Sequence, residues 1–244
     1  MNIFIVTETS KNMRALGRMA METKRNTAML VVLIYGVATM LPPAIISILF
    51  GGTLGETMSL LYTLLVSGPF TYGLAIFFLA MFRRQQSEVQ QVFDGFEQFG
   101  KTLGLFFYIL LFTILWSLLF IIPGIIAGIR YSQAFYIMVD HPEYSISQCV
   151  DESKMRMQGN KGKYFILNLS FIGWGLLFSI PMGIVEGAFT FSDSVVAYQL
   201  LSLVAMIPYI WLGTYIFLTQ VAFYEILLGN LKAQPITPEL PLEV

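Results

Sequence analysis

The chain has 244 residues, of which 56% are hydrophobic and only 12% charged; its mean hydropathy is +0.71 and its formal net charge is −1. Soluble domains carry about 25% charged residues, and an unpaired charge in hydrocarbon is costly, so this deficit is what a lipid-facing surface requires. The near-neutral balance excludes a polycationic surface for nucleic acid, and the single Cys149 excludes an internal disulfide or a cysteine-based metal cluster.

The cations set the organisation. All of the 14 Lys and Arg residues except Arg130 fall in four polar segments: Lys11, Arg14, Arg18, Lys24 and Arg25; Arg83, Arg84 and Lys101; Lys154, Arg156, Lys161 and Lys163; and Lys232. Two apolar passes fit between each consecutive pair of segments. Lys and Arg of short loops stay on the cytoplasmic side, so the chain is expected to leave and re-enter the cytoplasm three times with both termini inside. Residues 1–6 are too short for a signal-peptide core and are followed, not preceded, by basic residues, so no cleavable leader is expected.

A crossing needs about 20 apolar residues. The first predicted span covers 28–50, with Pro42 and Pro43 toward its outer half, where neighbouring helices must satisfy the freed carbonyls. An outer turn at 51–56 leads to the second span, 58–81, stopped by Arg83 and Arg84. Residues 85–100 are polar, yet Val89, Val92, Phe93, Phe96 and Phe99 recur at offsets of three and four. That stripe, opposite Gln86, Gln90, Asp94 and Glu97, predicts a helix on the inner membrane surface; the alternative is a cytosolic helix packed against a loop. The third span covers 102–122, ended by Pro123 and Gly124. The fourth, 125–139, is short, contains Arg130, and closes on Asp140, His141 and Pro142. Residues 144–158 predict a second interfacial helix with a stop at Gly159-Asn160. The fifth span covers 164–187, and the outer loop 188–194 has no basic residue. The last apolar stretch, 195–228, exceeds one crossing, and tilt or a break at Pro208 would absorb the excess.

The expected fold is therefore all-α: a polytopic membrane bundle of six transmembrane helices with interfacial amphipathic helices, forming one integral membrane domain over 1–244. The same order of amphipathic helix, basic stop, span with proline, outer turn and return span occurs three times, over about 10–84, 85–142 and 143–231. Either one unit is repeated threefold, which often places a site at the shared axis, or transmembrane hairpins share these residues by composition.

Few residues could carry chemistry. Gly95 to Thr102 spells G-x-x-x-x-G-K-[ST], but a phosphate-binding loop follows a strand, and here an amphipathic helix precedes and a span follows. Arg130 is the one basic residue inside a predicted span, about 9 Å below its outer end at 1.5 Å per residue. Intramembrane ionisable residues are functional candidates and usually have partners; Glu186 is the expected partner, and snorkelling to headgroups is the alternative. Glu225, near the inner end of the last span, reaches headgroups or water, or couples protons. Lys161 and Lys163, flanking Gly162, and Lys101 are candidate headgroup-binding residues; the alternative is orientation alone. His141, Asp140 and Glu143 make a weak metal signal without a second histidine and read as a helix cap or surface loop. Trp116, Trp174 and Trp211 fit interfacial belts and packing. No catalytic constellation or cofactor is expected.

The blocks GPFTYGLAIFFLAMFRR, FDGFEQFGK, LWSLLFIIPGIIAGIRYSQAFYIMVDHPE, DESKMRMQGNKGKYFILNLSFIGWGLL and PYIWLGTYIFLTQVAFYEILL, in that order, resemble the bacterial integral membrane proteins grouped as domain of unknown function nine-seven-five, found mostly in Gram-positive bacteria. The likeness runs from about residue 60 onward. It implies a multi-pass protein of the bacterial plasma membrane and supplies no activity or catalytic residues. A distant likeness to membrane domains attached to some glycerophosphodiesterases suggests, by analogy, a role with lipids. The function expected is non-enzymatic: binding or moving a lipid or other amphipathic small molecule or peptide. The alternative is a membrane scaffold, immunity factor or accessory subunit that docks a membrane protein partner.

Overall fold

The computed structural model describes the backbone of residues 4–189 and 195–231, and the side chains of all of these except 181–182, 185–186, 188–189 and 195–206. The described residues are almost wholly helical and contain no strand. In chain order the helices are α1 (Ser10–Thr23), α2 (Arg25–Phe50), α3 (Gly52–Phe82), a 3-10 segment (Val89–Phe96), α4 (Phe99–Leu119), α5 (Ile121–Tyr131), α6 (Ala134–Asp140), α7 (Ile146–Arg156), α8 (Lys161–Phe189) and α9 (Val195–Leu227).

Among the described residues, five stretches are long and apolar enough to cross a membrane: Arg25–Phe50, Gly52–Phe82, Phe99–Leu119, Lys161–Ile180 and Ile207–Leu227. The expected fourth pass is different. Residues 125–139 do not form one helix but parts of α5 and α6, of 11 and 7 residues, each shorter than the about 20 residues a crossing needs. The cause is a side chain from α7. The Ser153 hydroxyl donates to the Arg130 carbonyl (2.7 Å) and accepts from the Gln133 N–H (3.3 Å), taking over backbone groups where the helical ladder would have continued. Pro123 also sits differently from expectation. α4 ends at Leu119, Phe120 is extended, and Pro123 lies in the first turn of α5, where a missing N–H costs nothing.

α2 and α3 form an antiparallel hairpin. Pro42 deprives the Ala38 carbonyl of its donor, and the Tyr62 hydroxyl supplies one from α3 at 2.8 Å; Ser59 adds a second tie across the hairpin, donating to the Pro43 carbonyl at 2.9 Å. α2 runs through both prolines. Thr63, Ser67 and Thr71 of α3 donate to carbonyls four residues back, which leaves no hydroxyl hydrogen unpaired in an apolar setting.

The core sits where the carboxy-terminal halves of α3 and α9 meet α6. Phe77, Phe78, Leu79, Ile137, Met138, Leu218, Val221 and Phe223 are almost completely buried there. Three shorter elements wrap this core: α1 lies on α9, the 3-10 segment on α3, and α7 on α6 and α5. The contacts are close because small residues sit at the crossings. A Cβ on Gly95 would collide with the Pro69 carbonyl, and one on Gly17 would come within 2.6 Å of the Thr219 hydroxyl. The segment predicted as a surface helix at 85–100 thus forms a 3-10 turn over residues 89–96, with Val92 and Gly95 buried and Phe93 and Phe96 exposed. The predicted helix at 144–158 is α7, capped at its start by Ser145 and Gln148 and followed by Gly159 at φ +77. Residues 4–8 are strapped across the turn between α7 and α8: the buried Asn160 side chain accepts from the Val6 N–H and donates to the Phe4 carbonyl, both at 2.8 Å.

Candidate functional site at the inner ends of the return helices

Arg83 caps α3. Its N–H bonds the Leu79 carbonyl, and the chain then turns through Arg84, a non-glycine residue at φ +56, so that the Gln85 N–H reaches the Ala80 carbonyl at 2.8 Å. The left-handed conformation costs an L-residue about 1–2 kcal/mol, and here it closes the helix end directly beside the Arg83 side chain.

That side chain joins three helices. Its Nη1 and Nη2 donate to the two carboxylate oxygens of Asp140, the last residue of α6, at 2.5 and 2.8 Å. Its Nε donates to Glu225 Oε1, in the last turn of α9, at 2.7 Å, and Nη2 lies 2.6 Å from the same oxygen. The remaining lone pairs are also used: the Tyr224 hydroxyl donates to Asp140 Oδ2 at 2.9 Å and Asn230 Nδ2 to Glu225 Oε2 at 2.8 Å. Side-chain exposure is 26% for Arg83, 17% for Asp140 and 5% for Glu225, so this is no surface ion pair. Buried pairs hold only when geometry and extra hydrogen bonds offset desolvation, and both conditions are met. Hydrogen bonding from Asp140 is the main cause that holds the Arg83 guanidinium above its ordinary range, with burial opposing it. The planar fork of arginine suits two carboxylates at once, which a lysine ammonium would not.

The arrangement is a mechanical joint. Both carboxylates are engaged by a guanidinium, and neither is set up as a general acid or a nucleophile. Among the described residues no three His, Cys, Asp or Glu side chains gather as metal ligands. Burial pushes the Cys149 thiol up, which disfavours the reactive thiolate.

The residues singled out from sequence fall in separate places. Glu225 belongs to the joint, paired with Arg83 and not directed to headgroups. Arg130 lies in the last turn of α5, is half-buried, and makes no ion pair among the described residues; the Glu186 side chain and Lys232 lie outside the described residues. Lys101 donates to the Pro142 carbonyl, fastening α4 to the loop before α7. Lys163 donates to the Thr7 and Glu8 carbonyls at 3.4 Å each, holding the amino-terminal strap. Lys161 edges an apolar cleft between α5 and α8. His141 bonds Glu143 at 3.2 Å and stacks on Tyr144, while Asp140 turns away into the joint. The string from Gly95 to Thr102 holds no phosphate-binding loop: it crosses from the 3-10 segment into α4, and the Thr102 hydroxyl donates to the Gly95 and Phe99 carbonyls.

Sequence reasoning missed Arg83, Asp140, Tyr224 and Asn230. A signal was present: the three return stretches end in MFRR, MVDH and FYEI, a cation and two acids at corresponding ends.

A family model described as "Protein of unknown function (DUF975)" matches residues 107–230, just over half of the chain. The chain belongs to this family. The matched region begins inside α4 and runs through α9, so it holds Asp140, Tyr224, Glu225 and Asn230 but not Arg83. No curated protein and no solved structure matches the chain.

Proposed function

We propose that this DUF975 protein is a non-enzymatic, multi-pass protein of the bacterial plasma membrane that binds or moves a lipid or other amphipathic substrate, with both termini cytoplasmic. The observation that carries this reading is the cleft between α5 and α8. Its walls are Ile122, Ile125, Ile126, Ile129 and Phe165, its volume is about 290 Å³, and Lys161 and Gly162 form its edge. An apolar body with a cation at one end is complementary to an amphipathic anion. The polar groups of the Arg83 joint, by contrast, are all engaged with one another.

In this reading α5 and α6 make a sixth, interrupted pass, of the kind tolerated where broken backbone is buried against protein. Three helix-plus-hairpin units then close in a ring. Support comes from the wrapping elements, each of which rests on the return helix of the preceding unit: α7 on α6, the 3-10 segment on α3, and α1 on α9. The crossings share a plan. Gly17, Gly95 and Ser153 make the close approach, and the next residue rests on an aromatic ring: Arg18 over Tyr215, Phe96 on Phe70, Lys154 over Tyr131. The Arg83 joint unites the three return helices at the centre of that ring.

Reconstitution tests the reading. Vesicles containing the protein should exchange labelled phospholipid or an amphipathic peptide between leaflets faster than empty vesicles, and no effect across both panels sinks it. The scaffold or accessory-subunit alternative has one feature in its favour, the exposed Phe93, Phe96 and Phe99 on one surface. Photo-crosslinking from Phe93 that recovers only lipid would remove it.

A further inference from the structure

A second groove, of about 560 Å³, opens between α2, α8 and α9. Its floor is aromatic: Trp174, Phe178 and Trp211 pack with ring centroids 6.0 to 6.3 Å apart. Met29 and Pro208 complete the apolar wall, and Arg25 and Asn26 form one end. All three walls belong to membrane-length apolar helices, so the groove faces hydrocarbon along its length. Its size falls within the about 300–1,000 Å³ of small-molecule sites.

Three arginines of the first basic segment touch the helices that wall the groove. Arg25 lines it directly and is exposed. Arg14 donates to the Ser170 carbonyl at 3.3 Å, one helical turn before Trp174. Arg18 lies 5.9 Å over the Tyr215 ring, which itself packs at 5.4 Å on Trp211. None of the three makes an ion pair among the described residues. The charged neighbours at the break between α1 and α2 are Glu22 and Lys24, and Lys24 is turned away to Ser87 at 3.1 Å. The three arginines outnumber Glu22, the carboxylate at this break. Guanidinium groups are the side chains best matched to phosphate oxygens.

We infer that this groove is a binding site for an anionic phospholipid of the inner leaflet, with its phosphate among Arg14, Arg18 and Arg25 and one acyl chain laid over Trp174, Phe178 and Trp211. The inference rests on the amphipath-binding reading and deepens it by naming a site, a ligand class and the leaflet from which the ligand enters. It gives the first basic segment a role beyond orientation.

The test uses the full chain carrying Trp116→Phe, so that Trp174 and Trp211 are the only tryptophans. In nanodiscs, acyl-brominated phosphatidylglycerol should quench their fluorescence at a lower mole fraction than acyl-brominated phosphatidylcholine, by about fivefold for each arginine engaged. The double variant Arg18→Gln/Arg25→Gln should lower the preference by about 25-fold, leaving the share of Arg14, while quenching by phosphatidylcholine stays unchanged. Arg25→Gln alone, at an exposed position, should lower the preference by about fivefold even if the double variant fails to fold. Arg84→Gln, outside the groove, should keep the full preference, and glycerol phosphate in solution should not erase it. Equal quenching by the two lipids in the parent, a preference undiminished by Arg25→Gln, or its loss to glycerol phosphate alone would each overturn the site. Transbilayer exchange that persists with no headgroup preference would overturn this site and leave the broader reading; preference without exchange or peptide movement would do the reverse for the transport part of that reading.

Discussion

The amino-terminal and carboxy-terminal halves of α3, outer and inner in the orientation proposed above, have similar apolarity and opposite surroundings. In the outer half Leu54, Leu60, Leu61 and Leu65 are 46–60% exposed, whereas in the inner half Phe77, Phe78 and Leu79 are at most 1% exposed. Composition separates them better than hydropathy does. The outer half is leucine-rich and has no close backbone neighbour beyond the hairpin itself, whereas the inner half carries Gly68, Pro69 and Gly73 and lets α4 and the 3-10 segment approach backbone to backbone. α2, α4 and the described part of α8 resemble the outer half, with few buried residues in their apolar windows. Apolarity thus tells where water is absent, and small residues tell whether protein or lipid replaces it.

The comparison can be broken most forcefully at its polar joint. Arg83→Gln leaves Asp140 and Glu225 buried without a counter-charge and should destabilise the bundle by about 3 kcal/mol or more, read as a lowered unfolding midpoint in detergent. Adding Asp140→Asn and Glu225→Gln in the same chain should recover much of that loss, since removing all the charges removes the penalty. Gly95→Ala, which forces a Cβ into the Pro69 carbonyl, should cost about 1–3 kcal/mol. The same measurement on Ile48→Ala or Leu118→Ala, whose side chains are 81% and 76% exposed, should change stability by less than about 0.5 kcal/mol. A loss at Ile48 as large as that at Gly95 would erase the distinction between the halves.

The smallest effect concerns Cys149. Burial holds its thiol above the ordinary range, so the unfolded chain ionises first as pH rises. The contribution of this group to stability is present below the ordinary thiol pKa and weakens as pH climbs through the folded value. Alkylation at mildly alkaline pH should be slow in the folded protein and fast after denaturation; rapid labelling of the folded form would contradict the burial.

Much of this was legible from residue order alone. The long apolar runs ending at Lys and Arg correspond to α2, α3, α4, α8 and α9, and the helix expected over 144–158 corresponds to α7. The interruption between α5 and α6 was not legible, because residues 125–139 carry no proline or glycine at the break and the interrupting hydroxyl comes from Ser153, 23 residues after the Arg130 whose carbonyl it binds. The 3-10 geometry of 89–96 follows from tertiary approach at Gly95, which local periodicity does not contain. The joint was hidden for a related reason. Arg83 reads locally as a stop signal, and its partners lie 57 and 142 positions away. Glu225 was marked as a candidate and Arg83 was not, because only an ionisable group inside an apolar run looks anomalous in one dimension.

The central claim is that α6 and the carboxy-terminal halves of α3 and α9 are packed against protein, while α2, α4, the described part of α8 and the amino-terminal half of α3 face lipid. A photo-crosslinking amino acid introduced singly at Ile48, Leu60, Leu118 and Leu176, and at Leu74, Phe77, Ile137 and Leu218, in membranes, tests it position by position. The account predicts lipid adducts at the first four sites and intramolecular protein crosslinks at the last four. Protein crosslinks at the first set, or lipid adducts at the second, would contradict it.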